Sequence, residues 1–530
     1  MIDEFSEFEK IVREIYRKAE EENRLIQNPP DSVVREMALR EQEVRKTKYG
    51  SLMAESEPTS RAAMFTKNSV DSEFGEKERG LLEKMERKLS REKLISRDVI
   101  VGDGRENITA RLIVPEKWAH VVYGGTRLFS ESTRIVRNPT HTVVMFYDEN
   151  YDRNKGKPLP EKDIEIRIAF SKNGRSIKIV RNSNYLGEWK KGVFTGEDWR
   201  VKQKKDAIFL HAGCRQDELE MAHGGYEIQN SLFVALSANG KTSLTCKPLA
   251  RKAGEKSWLI QDDGGTLTRN GQFRGFEAGG LFVKTDGLNP SEQGEIYYAC
   301  LRPESFLENV YVDSNGEIDF YKIERTSNGR AVVRRGDLMH TSQNINVDRV
   351  HNLFIITRGE LIPAISKLTP EQATAFMVLG QSEESSAGDP TQEGRIRNVF
   401  FYDPFVAGDR AKHANLFYDI LKSNDIKCYL LNTGGLGIGS TYRDIRLQDT
   451  MGILDSVLRG GLEDWVESEG TGLEVPKAIR SVDSVLLHPR SNFYSASDFD
   501  KRQKALDKRR TEILEKYEGL DKRILDVFKK

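Results

Sequence analysis

The chain has 530 residues, 38% of them hydrophobic and 9% aromatic, enough for sizeable cores and roughly two to four domains of ordinary size. Its 82 basic residues balance 82 acidic ones, so no overall field draws it to nucleic acid or to an anionic membrane, and any anion site must be local. The opening Met1-Ile2-Asp3-Glu4-Phe5 lacks the basic and apolar regions of a secretory signal, and no apolar run approaches a membrane span, which predicts a cytoplasmic protein without membrane contact.

Residues 1–94 read as a helical N-terminal segment. Phe8, Ile11, Val12 and Ile15 fall on one helical face after a possible capping box of Ser6 and Glu9, and Val33–Val44 and Arg79–Leu94 repeat the pattern. The polar stretch Ser51–Ser72 between them, with Arg61 and Lys67 as its basic residues, reads as a loop near a site. From Asp98 the pattern changes to short β-rich runs, Ala110–Val114, Thr142–Tyr147, Ile164–Ala169, Ser176–Val180 and Ala207–Leu210, which predict a mixed-sheet lobe over 95–225. Residues 226–530 are read as a separate C-terminal lobe. At its end, Leu506, Ile513, Tyr517, Leu520, Ile524 and Phe528 recur at helical spacing amid heavy charge, which predicts a C-terminal surface helix. Cys214, Cys246, Cys300 and Cys428 show no CxxC spacing, so buried thiols are expected rather than disulfides or a zinc site.

The chemistry concentrates in Ala235-Leu236-Ser237-Ala238-Asn239-Gly240-Lys241-Thr242, which fits GxxxxGK[ST] except for alanine at the first glycine. Such a loop needs consecutive backbone N–H groups around phosphate oxygens, a lysine on the β and γ phosphates, and a hydroxyl on magnesium. A short match of this kind is as often a solvated turn. Here an apolar strand leads in, and the second apolar run Trp258–Ile260 ends near Asp262-Asp263, where a carboxylate can hold the metal. Upstream lie Tyr185-Leu186-Gly187-Glu188-Trp189-Lys190-Lys191-Gly192 and Ala207–Leu210 running into His211. The other histidines, His120, His141, His223, His340, His351, His413 and His488, are read as hydrogen-bonded core or surface residues.

In this order and at these spacings the segments resemble the phosphoenolpyruvate carboxykinase family. The resemblance continues through Phe276-Glu277, Glu295-Ile296-Tyr297, Leu307–Val310, Ile318–Phe320, Arg330, Leu431–Gly435 and Gln448–Thr450, and covers residues 95–530. It implies a bilobal α/β (mixed α+β) fold with the phosphate loop in the C-terminal lobe. It also implies a carboxy-lyase of gluconeogenesis that decarboxylates oxaloacetate and phosphorylates the enolate with ATP, using Mn2+ and Mg2+, as a monomer or small homo-oligomer.

By the same resemblance, Lys191, His211 and Asp263 look like ligands of manganese, with Asp262 and Thr242 on the magnesium side. A lysine amine ligates only when neutral, which a dication and the neighbouring Lys190 would favour. Lys241, Arg330, Lys191 and Ser237 take the catalytic roles. Tyr185, Lys191 and Arg330 are expected at the substrate, with Arg61, or Arg127 as its rival, as the carboxylate-binding arginine. Nucleotide contacts fall to Ser237, Ala238, Asn239, Gly240, Lys241, Thr242, Ser243, Glu295 and Thr450. The phosphate loop itself resembles the guanine-nucleotide branch and Tyr185–Gly192 and Thr433–Thr450 the adenine branch, so GTP and pyrophosphate stand beside ATP as donors. In place of the adenine branch's basic residue the chain has Arg443-Asp444, so an arginine contact to the base is shifted or lost. The polar stretch Gln381–Gly394 fits a mobile loop or a plain surface loop. A kinase acting on another acceptor, and a nucleotide-binding protein without turnover, are the alternatives of other classes.

Overall fold

The computed structural model describes residues 3–57, 65–153, 163–236, 239–324, 328–383, 395–403 and 406–529. The chain is mixed α/β and divides into two compact units. The first comprises Met1–Lys205, Phe276–Met339 and Phe405–Gly408; the second comprises Asp206–Gly275, His340–Pro404 and Asp409–Lys530. Among the described residues no helix is long and apolar enough to cross a membrane.

In the first unit the helix Glu4–Glu21 turns Phe5, Phe8, Val12, Ile15 and Ala19 onto one buried stripe, because apolar residues recur at three- and four-residue spacing. That stripe packs on Leu81, Leu82 and Met85 of the helix Glu76–Leu89 and on Ile113, Val144, Phe146 and Ile179 of a sheet. The sheet runs Leu25–Gln27, Leu94–Ile100, Thr109–Pro115, His141–Phe146, Ser176–Arg181, Glu165–Phe170, Thr66–Asn68, mixing parallel and antiparallel pairs. A second sheet places Gly280–Lys284, Arg330–Arg334, Phe306–Glu308, Leu52–Ala54 and Val44–Lys46 side by side.

The second unit is built on a sheet ordered Lys256–Gln261, Ala212–Glu220, Tyr226–Val234, Asn352–Thr357, Lys427–Asn432, Ile365–Leu368, Glu474–Pro476, Trp465–Glu467. Its three central strands, ending at Val234, Thr357 and Asn432, are parallel. They bury Phe233, Phe354 and Tyr429 in a stack of rings with centroids 5.0 and 5.1 Å apart. A smaller antiparallel sheet joins Ala207–Leu210, Gly265–Thr268, Phe273–Gly275 and Asn346–Val347.

The expected strands of 110–210 stand within a residue or two of their predicted places. The N-terminal segment is not purely helical. Short strands at 25–27, 44–46, 52–54 and 66–68 sew it into both sheets of the first unit, through partners as distant as Phe306–Glu308. The contact units therefore cross the expected boundaries at 94 and 225, and 276–339 return to the first unit. The first helix is capped by Asp3, whose carboxylate accepts the Ser6 N–H at 2.7 Å, not by Ser6; Glu9 pairs instead with Arg13 and Arg175. The C-terminal helix is two pieces, Ala496–Leu514 and Lys522–Leu525, separated by a turn in which Gly519 takes a positive φ. It is more than a surface helix, since Leu514, Leu520 and Ile524 are buried and Phe528 meets Phe376 edge-on.

Candidate active site

In the second unit the strand Tyr226–Val234 runs into the loop that ends at Gly240, and the helix Lys241–Cys246 begins immediately. Gly240 sits at φ +91°, a conformation that L side chains rarely adopt, which explains glycine at the position just before the helix. Helix geometry then places Lys241 at the first position, buried, with Thr242 and Ser243 half-exposed behind it. Asn239 is tied down from two sides. Its amide nitrogen donates to Ser382 Oγ at 2.8 Å, and its carbonyl accepts the Thr433 hydroxyl at 3.1 Å. Ser382 in turn accepts the Arg358 N–H. These groups gather beyond the carboxyl ends of the three parallel strands, where open α/β sheets bind ligands.

The strand Ala207–Leu210 delivers His211, and the strand Lys256–Gln261 delivers Asp262 and Asp263. His211 Nε2 lies 2.9 Å from Asp263 Oδ1, and the same oxygen pairs with Lys241 Nζ. The other ring nitrogen, Nδ1, faces the Tyr402 carbonyl at 3.4 Å. Asp262 is buried, whereas His211 and Asp263 keep about a fifth of their side-chain surface open. An imidazole nitrogen and a carboxylate oxygen on adjoining strand ends form a donor set that fits manganese or another borderline cation. Among the described residues no group of three or more histidine, cysteine or carboxylate side chains stands as a metal cluster.

The first unit gathers Tyr185, Lys191 and Arg330. The helix Gly187–Lys204 starts directly after Tyr185, whose buried ring folds back over Gly187; a Cβ there would lie 2.3 Å from the ring, so the close approach requires glycine. Lys191 Nζ stands 5.3 Å from the centre of the Tyr185 ring and 3.2 Å from Glu188 Oε1. The Tyr185 hydroxyl accepts from the Asn328 amide at 3.3 Å. Arg330 lies over Phe282, which neighbours Tyr185, and its Nε makes no hydrogen bond among the described residues.

Buried acids that lie inside the family segments, but to which the sequence assigned no role, hold this group. Glu188 is fully buried and receives Lys178 Nζ at 2.7 Å. Burial alone would raise its pKa, but Lys178 and Lys191 hold the carboxyl below the usual range, while burial pushes the Lys178 amine down. Lys190 is turned to Glu277 at 2.9 Å, so it does not act as the free cation expected to disfavour charge on Lys191. Glu308 lies beneath the Tyr185 turn and accepts the Leu186 N–H at 2.8 Å. The signal in the sequence was a charged residue within an apolar run, as in Ile177-Lys178-Ile179 and Phe306-Leu307-Glu308.

Other expected residues stand elsewhere. Arg61, Ser237 and Ala238 lie outside the described residues, as do 384–394 of the expected loop; its first residues, Gln381–Glu383, form a strand paired with Ile396–Asn398. Arg127, the rival for the substrate arginine, is buried against the Tyr123 ring and bound to Asp31 and the Glu304 carbonyl, a structural position. Glu295 is half-buried on the helix Pro290–Cys300 of the first unit. Thr450 is buried in the helix Leu447–Leu458, its hydroxyl bonded to the Arg446 carbonyl. Arg443 pairs with Asp483 and Asp444 with Tyr442.

A strand and a helix that begins at Lys241, beside a histidine–carboxylate pair, belong to a mixed α/β protein whose side chains fit phosphate esters and divalent cations. The phosphoenolpyruvate carboxykinase family model matches residues 23–485, and the chain belongs to that family. The match begins well before the expected residue 95, in keeping with the early strands of the first unit, and stops short of 530. The chain is 26% identical over 489 residues to a phosphoenolpyruvate carboxykinase (ATP) of Chelativorans sp., covering 88% of this chain and 87% of that protein. It is 26% identical over 439 residues to that of Brucella melitensis, covering 80% and 77%. With that of Christiangramia forsetii it shares 27% over 362 residues, 66% of this chain and 64% of that protein.

Proposed function

We propose that the chain is an ATP-dependent phosphoenolpyruvate carboxykinase, a carboxy-lyase that converts oxaloacetate and ATP to phosphoenolpyruvate, CO2 and ADP. The observation that carries this reading is the meeting of Lys241 and His211 on one oxygen of Asp263 beside the phosphate loop, in a chain of this family. In the reaction the C–C bond to the leaving carboxylate breaks, its electrons pass to the enolate, and the enolate oxygen attacks the γ-phosphorus as the bond to ADP breaks.

Each residue has a physical part. Lys241 carries its ammonium to the β and γ phosphates, and the backbone around Asn239 and Gly240 lends N–H groups to the same oxygens. Arg330, with its Nε uncommitted, supplies positive charge to the transferring phosphoryl group or to a substrate carboxylate. Tyr185 presents its ring and hydroxyl to the substrate, held by Asn328 and by the glycine beneath it. Manganese on His211 and Asp263, and magnesium on Thr242 with Asp262 nearby, would supply Lewis acidity where negative charge develops on the enolate and phosphoryl oxygens. Lys191 keeps its expected place in the metal set as part of this proposal, as do Arg61 and Ser237 at the substrate. The nucleotide contacts of Ala238, Ser243, Glu295 and Thr450 belong to it as well. A cytoplasmic location is also proposed, supported by four free cysteines, three of them buried.

A coupled assay of oxaloacetate-dependent phosphoenolpyruvate formation, with manganese and magnesium present and ATP, GTP or pyrophosphate supplied in turn, tests the reading. Product with ATP is expected. Product only with another donor would move the donor assignment, and no product with any donor from folded, metal-loaded protein would contradict the reaction.

A further inference from the structure

Glu308 is the last residue of the strand Phe306–Glu308 and is fully buried. Three elements converge on it. The antiparallel strand Arg330–Arg334 sets Arg330 directly opposite Glu308, which puts both side chains on one face of the sheet at neighbouring positions. The turn into the helix Gly187–Lys204 aims the Leu186 N–H at its Oε1, 2.8 Å away. The strand Leu52–Ala54 runs alongside on the other edge, in register at Ala54, and leads to the Ser56 hydroxyl. Behind it, His120 of the helix Ala119–Gly125 stacks on the ring of Phe306 and is bonded through Nδ1 to Glu41 at 2.5 Å. The charged groups facing Glu308 are therefore Arg330 and His120, the latter already matched by Glu41.

We propose that Glu308 is a positioning residue for oxaloacetate: it fixes the Tyr185–Leu186 turn and, by holding or releasing a proton, sets how much positive charge Arg330 presents to the substrate. This inference rests on the carboxykinase reading and deepens it. Either protonation state holds the turn, because one carboxyl oxygen accepts the Leu186 N–H while the other carries the proton. What changes is charge. An ionised Glu308 opposite Arg330 cancels part of the field that attracts a dianionic acid, and a neutral one leaves it whole. Burial pushes the carboxyl up to about 7 against the pull of the Leu186 N–H, Ser56, His120 and Arg330.

The test compares wild type with Glu308→Gln and Glu308→Ala between pH 6 and 8, at saturating ATP and metal. Glutamine keeps an acceptor for Leu186 and stays neutral, so it imitates the protonated acid. In wild type the KM for oxaloacetate should rise severalfold across this range; in Glu308→Gln it should stay flat near the wild-type value at pH 6. Glu308→Ala should raise KM at every pH, because the turn loses its acceptor; if it does not fold, Glu308→Gln alone decides. A KM profile shared by wild type and Glu308→Gln would overturn the proposal. Should wild type form no phosphoenolpyruvate, the functional reading fails separately, and Glu308 is then judged by thermal unfolding. A pH-dependent difference in Tm between wild type and Glu308→Gln, opening as pH rises from about 4.5 through 7, retains Glu308 as a titrating group, and a constant difference removes it.

Discussion

The two units hold their candidate residues in opposite ways. In the first, basic side chains face buried acids: Glu188 takes Lys178 on one oxygen and Lys191 on the other, Glu277 takes Lys190, and Glu308 lies beneath the Tyr185 turn. In the second, a single oxygen of Asp263 serves both Lys241 and His211, and it stays partly open to water. The contrast is between a platform rigid before substrate arrives and a cluster whose charges are shared and can be redistributed by a cation and a phosphate. Fixed partners suit the recognition of a small acid. A shared partner suits a site where ligand charge must enter.

The largest expected effect falls on the shared cluster. Lys241→Ala should lower kcat for phosphoenolpyruvate formation by about 1,000-fold, the scale for removing one preorganised charge from a transition state. Because the lysine and a cation compete for one carboxylate oxygen, the same variant should bind manganese at least as tightly as wild type in a metal titration. Weaker binding would break the contrast.

On the platform the effect should be on stability. Glu188→Ala leaves the buried Lys178 without its carboxylate, keeping only the backbone carbonyl of residue 188, and should cost about 3–5 kcal/mol, read from the midpoint of urea unfolding. Glu308 gives a pH-dependent counterpart. Its folded pKa of about 7 lies above the usual 4.5, so its ionisation opposes the folded state as pH rises from about 4.5 through 7. Glu308→Gln should remove that decline, gaining about 3 kcal/mol on wild type by pH 8 relative to pH 4.5. A constant difference between the two proteins across that range would exclude the ionisation. The smallest effect is expected for His211→Ala, which should weaken manganese binding by about 10- to 100-fold, leaving Asp263 as a ligand. An unchanged titration would take His211 out of the metal set.

Much of this was legible in the sequence. Alternating apolar runs gave the strands of 110–210, because side-chain period and burial coincide there. Lys241, His211 and Asp263 come together in the second unit from three separated segments whose order matched the family pattern. The division of the chain was not legible, because it depends on pairing Leu52–Ala54 with Phe306–Glu308 across some 250 residues, which no local pattern encodes. The partners of the buried acids were equally hidden. Glu188, Glu277 and Glu308 stand inside family segments, but nothing local in those segments tells what each carboxylate faces, and Lys190 looked like a neighbour of Lys191 until its side chain was seen turned to Glu277. Arg127, the rival to Arg61 for the substrate arginine by its place beside Gly124-Gly125-Thr126, is instead taken up by the Tyr123 ring, Asp31 and the Glu304 carbonyl.

The measurement that bears most directly on the division of labour is a paired one, ATP affinity by calorimetry and KM for oxaloacetate, in Lys241→Ala and Tyr185→Phe. On this division of labour, Lys241→Ala loses ATP affinity by at least about tenfold, the scale of one charge-assisted hydrogen bond. Tyr185→Phe should keep ATP affinity and raise the KM for oxaloacetate severalfold. Equal ATP affinity in Lys241→Ala and wild type, or a loss of ATP affinity in Tyr185→Phe with an unchanged KM, would contradict it.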